Sequence, residues 1–266
     1  MLVAVASAKG SPGVSALAVA LAALWPVEGD DVAGAVALAD VDPVGGDLAL
    51  RYRAPSGEPL DEDRGLLSLG ASVRRGAETS GAGGGLADHL QPVAGGLDVL
   101  VGVSGPEQVQ GLGPVWGTLA TALRPADRDV VADCGRVVPG AAHLPVLAAA
   151  DALVLVVRPD VAGVAHLRER LGGLTPALRL DEAGGTPVGV VVRAPERDRR
   201  AADDVAALLA SAGSRARVLG VVADDPKGVA ALEQQRPGAG RSAFVRSVRS
   251  LVPAVVGLAA RAPAPA

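Results

Sequence analysis

Residues suited to phosphate chemistry occur near the start of the chain, in the stretch AKGSPGVS at residues 8–15. An apolar run of strand length precedes this stretch, and a helix-forming run follows it. A strand, a glycine-containing turn and a helix start, in that order, present backbone N–H groups and the positive end of a helix dipole to phosphate. Gly10 and Gly13 allow the tight backbone, and the Ser15 hydroxyl either ligates Mg²⁺ or caps the helix.

This loop departs from the common phosphate-loop pattern G-x-x-x-x-G-K-[ST]. Val14 stands at the lysine position, and Ala8 stands at the first glycine. Phosphoryl transfer depends almost entirely on positioned positive charge, and losing one preorganised donor costs roughly 10² to 10³ in rate. The sequence therefore leaves catalysis open and predicts slow phosphoryl transfer at most.

Three aspartates follow apolar runs further along the chain. Asp40 and Asp42 come after the second run, and Asp133 ends the segment DVVAD. Each one alone is more often a solvated loop residue than a metal ligand. Because open parallel sheets bind ligands outside the carboxyl ends of their strands, we expect the three carboxylates and the loop to converge on one crevice.

The elements that must position these residues alternate between strands and helices. Strand-length apolar runs are followed by helix-length segments, which predicts a doubly wound α/β fold: a mostly parallel sheet with helices on both faces, in three layers. The predicted strands are 2–7, 35–39, 97–101, 130–132, 152–157, 188–192 and 218–222, and the predicted helices are 15–24, 106–123, 161–171, 200–211 and 242–260.

Residues 1–260 are predicted to form a single domain. Residues 54–85 are rich in glycine and proline and lack useful periodicity, so they are expected to form a mobile surface excursion. Residues 261–266 are expected to be a disordered tail. Within 242–260, apolar residues recur at helical spacing beside arginines; this predicts a last helix that covers the sheet, in preference to a membrane-surface helix.

Composition narrows the function classes. The chain has 266 residues, 49% of them hydrophobic and 20% charged, which suffices for one large α/β core. Its longest apolar stretch is about twelve residues, well below the roughly 20 that span a bilayer, and no basic leader precedes it, so a cytoplasmic location is expected. The single cysteine, Cys134, excludes an intrachain disulfide and is expected to be a small buried residue.

Charge and aromatic content bear on macromolecular partners. Only 2% of residues are aromatic, which leaves little material for stacking single-stranded nucleic acid. Residues 190–250 carry eleven Lys/Arg against seven Asp/Glu. A solvated helical surface is the favoured explanation, and a weak patch for DNA or anionic lipid is the alternative.

The motifs together resemble those of the ParA/MinD family of deviant Walker A ATPases. KGSPGVS resembles the family's loop K-G-G-x-G-K-[ST], with Lys9 at the early signature lysine. VALADVDPVGGDLAL looks like the switch region, and DVVADCGR looks like the Walker B strand. PVGVVVRAP resembles the strand that ordinarily ends in an adenine-contacting asparagine, with Arg193 in its place. Order and spacing agree along nearly the whole chain.

This resemblance implies a site for ATP or ADP with Mg²⁺. Lys9 would reach across a homodimer to the partner's phosphates, and Asp42 would orient the attacking water. Asp40 and Asp133 would belong to the Mg²⁺ shell together with Ser15. The nucleotide-contacting positions implied are Gly10, Ser11, Gly13, Val14, Ser15 and Arg193.

Three functions are weighed. The first is a nucleotide-dependent dimer that positions a cargo such as a chromosome, plasmid, septum or pilus component, in the cytoplasm or at the periphery of the membrane or nucleoid. The second is a pseudo-ATPase scaffold that acts through an unknown protein partner. Pilus-assembly relatives of the CpaE/TadZ type lie near the boundary between the switch and the scaffold. The third, dethiobiotin-synthetase-like or iron–sulfur members of the fold, is disfavoured because these need the loop lysine or more cysteines.

Overall fold

A computed structural model describes residues 1–10, 12–26, 35–76, 85–198 and 200–261. Its strands form one eight-stranded sheet in the order β3-β4-β2-β5-β1-β6-β7-β8, parallel throughout except for β3 at one edge. The strands are β1 (Leu2–Ser7), β2 (Val36–Asp40), β3 (Gln91–Pro92), β4 (Asp98–Leu100), β5 (Asp129–Arg136), β6 (Ala152–Val157), β7 (Val188–Ala194) and β8 (Arg217–Ala223). The predicted mostly parallel sheet is confirmed.

Helices cover both faces of this sheet. They are α1 (Val14–Ala23), α2 (Leu48–Arg51), α3 (Leu66–Arg74), α4 (Leu86–His89), α5 (Pro106–Leu112), α6 (Trp116–Ala122), α7 (Leu144–Ala149), α8 (Val161–Leu178), α9 (Ala201–Ser211), α10 (Pro226–Glu233) and α11 (Ala243–Ala259), with short 3₁₀ turns at Gly113–Val115 and Ala239–Arg241. Successive residues of β1 enter opposite cores, Leu2 and Ala4 on one face and Val3 and Val5 on the other. The three-layer arrangement follows from strands that are apolar on both sides.

The last helix packs on the sheet as the sequence predicts. Phe244, Val248, Leu251 and Val255 are all buried, in the same core as α1. Pro253 lies inside α11 and is exposed, and the helix continues past it. Within the described residues, no helix is both long enough and apolar enough to cross a membrane.

Two stretches differ from expectation. Residues 66–74, predicted to be irregular, form α3, whose Leu66 and Leu69 are buried against the core; the short apolar spacing LLSL was the available signal. The single helix expected over 106–123 is divided at Gly113, which has a φ of 47° and precedes a proline. Residues 77–84 and 262–266 lie outside the described part of the chain, so the expectations made for them are not addressed.

Candidate functional site

The loop between β1 and α1 has the geometry of an anion-binding turn. Gly10 and Gly13 have φ values of 70° and 95°, in the left-handed region that favours glycine. Gly13 is the residue from which α1 starts, and no side chain in the described part of the chain caps this helix start. The first-turn N–H groups and the positive end of the α1 dipole are therefore available to an anion. Ser11, one of the predicted nucleotide contacts, lies outside the described residues.

A cleft of about 540 Å³ opens beside this loop at the carboxyl edge of the sheet. Its volume lies within the range of ordinary ligand pockets. The lining combines glycines and Ser15 of the loop, the segment after β2 that includes Asp42, the end of β5, and helix α10. The cleft brings Gly10, Gly13, Ser15 and Asp42 together, but of the three aspartates expected to converge there only Asp42 lines it.

Asp42 lines the cleft, whereas the buried Asp133 does not line it and lies next to the lining residue Gly135. A β-carbon at Gly135 would collide with the Asp42 carboxylate. Burial raises the pKa of Asp42. Asp133 is 3% exposed and accepts a hydrogen bond from the Gly135 N–H at 3.1 Å. Burial raises the pKa of Asp133 as well, and the Ser15 hydroxyl beside it acts in the opposite direction.

Asp40 lies under the cleft and does not line it. Its position in β2 is paired with that of Asp133 in β5, but its side chain is 1% exposed and accepts long hydrogen bonds of 3.4 Å from the N–H groups of Asp42 and Leu48. Burial, with a contribution from Asp133, raises the pKa of Asp40 to about 8. In this structure Asp40 thus acts on the backbone of the segment 42–48, which forms one wall of the cleft.

The oxygen donors around the cleft suit a Mg²⁺ ion that keeps several waters better than a metal site made entirely of protein ligands. Among the described residues, no three His, Cys, Asp or Glu side chains are grouped so that they could hold an ion. Mg²⁺ usually keeps several waters and binds one or two carboxylates together with substrate phosphates. The Ser15 hydroxyl and the adjacent Asp133 carboxylate match that limited set of protein donors.

The positive charges around the loop are arranged differently from the common pattern. Val14 is 6% exposed and belongs to the apolar core beneath α1 and α11, so this position supplies no cation. Arg193, at the end of β7, lies against the loop instead: a β-carbon at Gly13 would be 2.8 Å from Arg193 Nη1. Its guanidinium forms an ion pair with Asp224 at 2.7 Å.

Lys9 points away from the cleft. Its Nζ lies 2.6 Å from Nε2 of His166 on α8, in an exposed position, and it lines a separate shallow depression of about 170 Å³. Val161, at the start of α8, is 90% exposed. The structure therefore does not bring Lys9 to the cleft within one chain.

Sequence reasoning missed the charged residues of the outer wall. Arg51 on α2 pairs with Asp47 at 2.9 Å and with Glu233 of α10 at 3.0 Å, joining the two walls across the cleft. Arg136 also lines the cleft, and its charge partly opposes the burial that raises the pKa of Asp42. Arg51 directly follows the switch-like segment VALADVDPVGGDLAL, and Arg136 is the last residue of the Walker B-like segment DVVADCGR. Their closeness to those motifs was the only signal.

Comparison with known proteins identifies the fold. No protein-family model and no curated protein sequence matches the chain. Among solved structures, a ParA family ATPase from Chlorobium tepidum TLS is similar, with a TM-score of 0.69 and 16% identity over 94% of this chain and 96% of that one. The ATP complex of a single-residue variant of McdA from Cyanothece has a TM-score of 0.68 and 17% identity, covering 97% and 95% of the two chains.

A third similar structure is the septum site-determining protein MinD from Pyrococcus horikoshii OT3, complexed with Mg-ADP. It has a TM-score of 0.63 and 16% identity, and 99% of each chain is covered. Coverage of nearly the whole of both chains means that the likeness extends beyond the loop. The chain has the fold of the ParA/MinD ATPases, as its motifs predict.

Proposed function

We propose that this protein is a ParA/MinD-like nucleotide-binding protein that acts as a dimeric switch or scaffold to position a cellular cargo, with weak or absent ATP hydrolysis. The observation that carries the proposal is the cleft of about 540 Å³, in which the uncapped start of α1, Ser15 and Asp42 meet. The likeness to McdA with ATP and to MinD with Mg-ADP supports the choice of ligand. A MinC:MinD cell division complex and a putative plasmid partition protein with AMPPNP are also among the similar structures, and they support a positioning role.

The proposed binding mode assigns each part of the cleft a task. A bound Mg²⁺-nucleotide supplies the phosphoryl group and the metal charge. The left-handed turns at Gly10 and Gly13 direct backbone N–H groups at the phosphates. Ser15 and Asp133 would hold the metal, and Asp42 would accept a hydrogen bond from the attacking water.

We expect slow hydrolysis because residue 14, where the common phosphate-loop pattern has a lysine, carries no charge. Val14 contributes apolar contacts to the core and no charge to the cleft. Arg51 is held by Asp47 and Glu233, so its charge is largely balanced. With fewer positioned charges, less of the charge that develops in the transition state is stabilised.

The dimer is proposed to form through the face that carries Lys9. This side chain is exposed and directed away from its own cleft, and the exposed Val161 is at the start of the helix that carries its partner His166. A second copy docked on this face would receive Lys9 at its own phosphates, as the family resemblance implies. We take residues 1–260 as the domain that does so, in the cytoplasm.

A scaffold that binds no nucleotide is the second candidate. The apolar packing of Val14 and the ion pair that holds Arg193 against Gly13 favour it, because both complete the loop without a ligand. Such a protein would act only through contacts of its surface with other proteins, and it would lie close to the pilus-assembly relatives of the CpaE/TadZ type.

Calorimetric titration with ATP and with ADP, each with Mg²⁺, and with light scattering to follow mass, tests the proposal. Micromolar ATP binding with a shift to dimer supports the switch. Asp133→Asn should weaken Mg²⁺-dependent binding, while Asp203→Asn, which removes a carboxylate from the exposed face of α9, should bind as the wild type does. No binding of either nucleotide at millimolar concentration refutes the switch and leaves the scaffold.

A further inference from the structure

Arg193 is anchored in a way that fixes the direction of its guanidinium. Its Nε and Nη2 both donate to Oδ1 of Asp224, at 3.0 and 2.7 Å. The side chain is only 18% exposed, and it extends from β7, whose neighbours are β6 and β8. Two hydrogen bonds from one planar group to one carboxylate, on a half-buried side chain, leave the guanidinium little freedom to turn.

The third nitrogen of this group, Nη1, faces the phosphate loop. A β-carbon at Gly13 would lie 2.8 Å from it, and within the described residues Nη1 donates no hydrogen bond. Gly13 stands at the α1 start, where the helix dipole is positive. A cation at this end of a helix is unfavourable by itself, and an anion bound in the cleft beside both groups would be attracted to both.

We infer that Arg193 supplies the phosphate-binding cation that the loop lacks at Val14, and that its ligand is the polyphosphate part of a nucleotide. This inference rests on the proposed function, because it concerns the same cleft. Guanidinium N–H groups suit phosphate oxygens, and a group already held by Asp224 loses little freedom on binding. The role differs from the base contact that the family resemblance implies for this position.

Titration with two ligands separates the phosphate role from the base role. The full chain is titrated with Mg-ATP and with Mg-tripolyphosphate, which has no base. We expect Arg193→Gln to weaken binding of both ligands by about ten- to a hundredfold, the range for a hydrogen bond to a charged group.

Two further variants control for fold and charge. Removal of Arg193 alone leaves the Asp224 carboxylate without its partner, so Arg193→Gln/Asp224→Asn provides a variant with no unpaired charge; it should show the same loss for both ligands. Arg246→Gln removes an arginine that pairs with Glu196 and does not line the cleft, and it should bind as the wild type does.

The remaining outcomes overturn the inference in distinguishable ways. Loss of ATP binding with unchanged tripolyphosphate binding would assign Arg193 to the base. Unchanged binding of both ligands by the arginine variants would remove Arg193 from the site, and in both cases the proposed nucleotide function would stand. A wild type that binds neither ligand would refute the nucleotide function itself, and the role of Arg193 with it.

Discussion

Placing a lysine at residue 14 tests whether the missing charge at this position limits nucleotide binding and hydrolysis. Val14→Lys places an ammonium group at the start of α1, in the wall of the cleft that already contains Gly13 and Ser15. We expect tighter binding of Mg-ATP and faster hydrolysis, because the added charge lies where the common phosphate-loop pattern has one.

The magnitudes follow from the environment of Val14. Its side chain is 6% exposed, and full burial of a valine contributes about 1.5–3 kcal/mol. A lysine keeps part of this contribution through its apolar stem, so we expect the free energy of unfolding to fall by about 1–2 kcal/mol. A hydrogen bond to a charged group contributes about 1.5–3 kcal/mol, which corresponds to roughly ten- to a hundredfold tighter ATP binding.

Urea unfolding measures the free energy of unfolding. Calorimetric titration measures the ATP affinity, and single-turnover kinetics measure the hydrolysis rate. Val14→Met is the matched control, since it has similar length and no charge. A folded Val14→Lys protein with the ATP affinity and hydrolysis rate of Val14→Met would refute the reasoning, and the limit on nucleotide chemistry would then lie elsewhere in the cleft.

Two other predictions concern Lys9 and His143. Lys9→Ala should weaken nucleotide-driven dimerisation at least several-fold, as measured by sedimentation, and should leave the stability of the monomer unchanged. An unchanged sedimentation profile would remove Lys9 from the interface. His143 is fully buried against Trp116, and burial lowers its pKa to about 4, while the nearby Cys134 thiol has its pKa raised by burial. Because the His143 imidazole then binds more protons in the unfolded chain between about pH 4 and 6.5, its contribution to the free energy of unfolding should fall by about 2 kcal/mol from pH 7.5 to pH 5. Asp40, whose pKa burial raises to about 8, acts in the opposite direction. His143→Leu keeps the buried carboxyl groups, so urea unfolding at the two pH values should show the wild type losing about 2 kcal/mol relative to this variant. An equal change in both proteins would show that His143 makes no such contribution.

The parallel sheet was predictable because its strands are short apolar runs with helices between them. Val3 and Val5 belong to one core and Leu2 and Ala4 to the other, so every position in such a strand must be apolar. The predicted bounds of β1 and β6 agree with the structure. Helices α2 and α4 have four residues each, which is too few to show the helical periodicity of apolar residues. Their formation depends on tertiary contacts.

The site was predictable only in part. Gly13, Ser15 and Asp42 were found from their types and their places after strands, and they do share one cleft. The same rule placed Asp40 and Asp133 there, but neither lines the cleft. Asp133 is buried, and the side chain of Asp40 lies beneath the segment 42–48, because a residue at a strand end can face either side of the backbone.

The sequence by itself determined the fold class, the anion-binding turn and the lack of a lysine at residue 14, since these depend on local residue types and on apolar periodicity. Only the tertiary structure decided which cation lies at that turn. Arg193 and Asp224 are 31 residues apart in the chain and meet because β7 and β8 are neighbours in the sheet. Arg193 reaches Gly13 because β7 is only two strands from β1 in the sheet order. Contacts between distant strand ends depend on strand order and side-chain direction, which no local pattern of residues specifies.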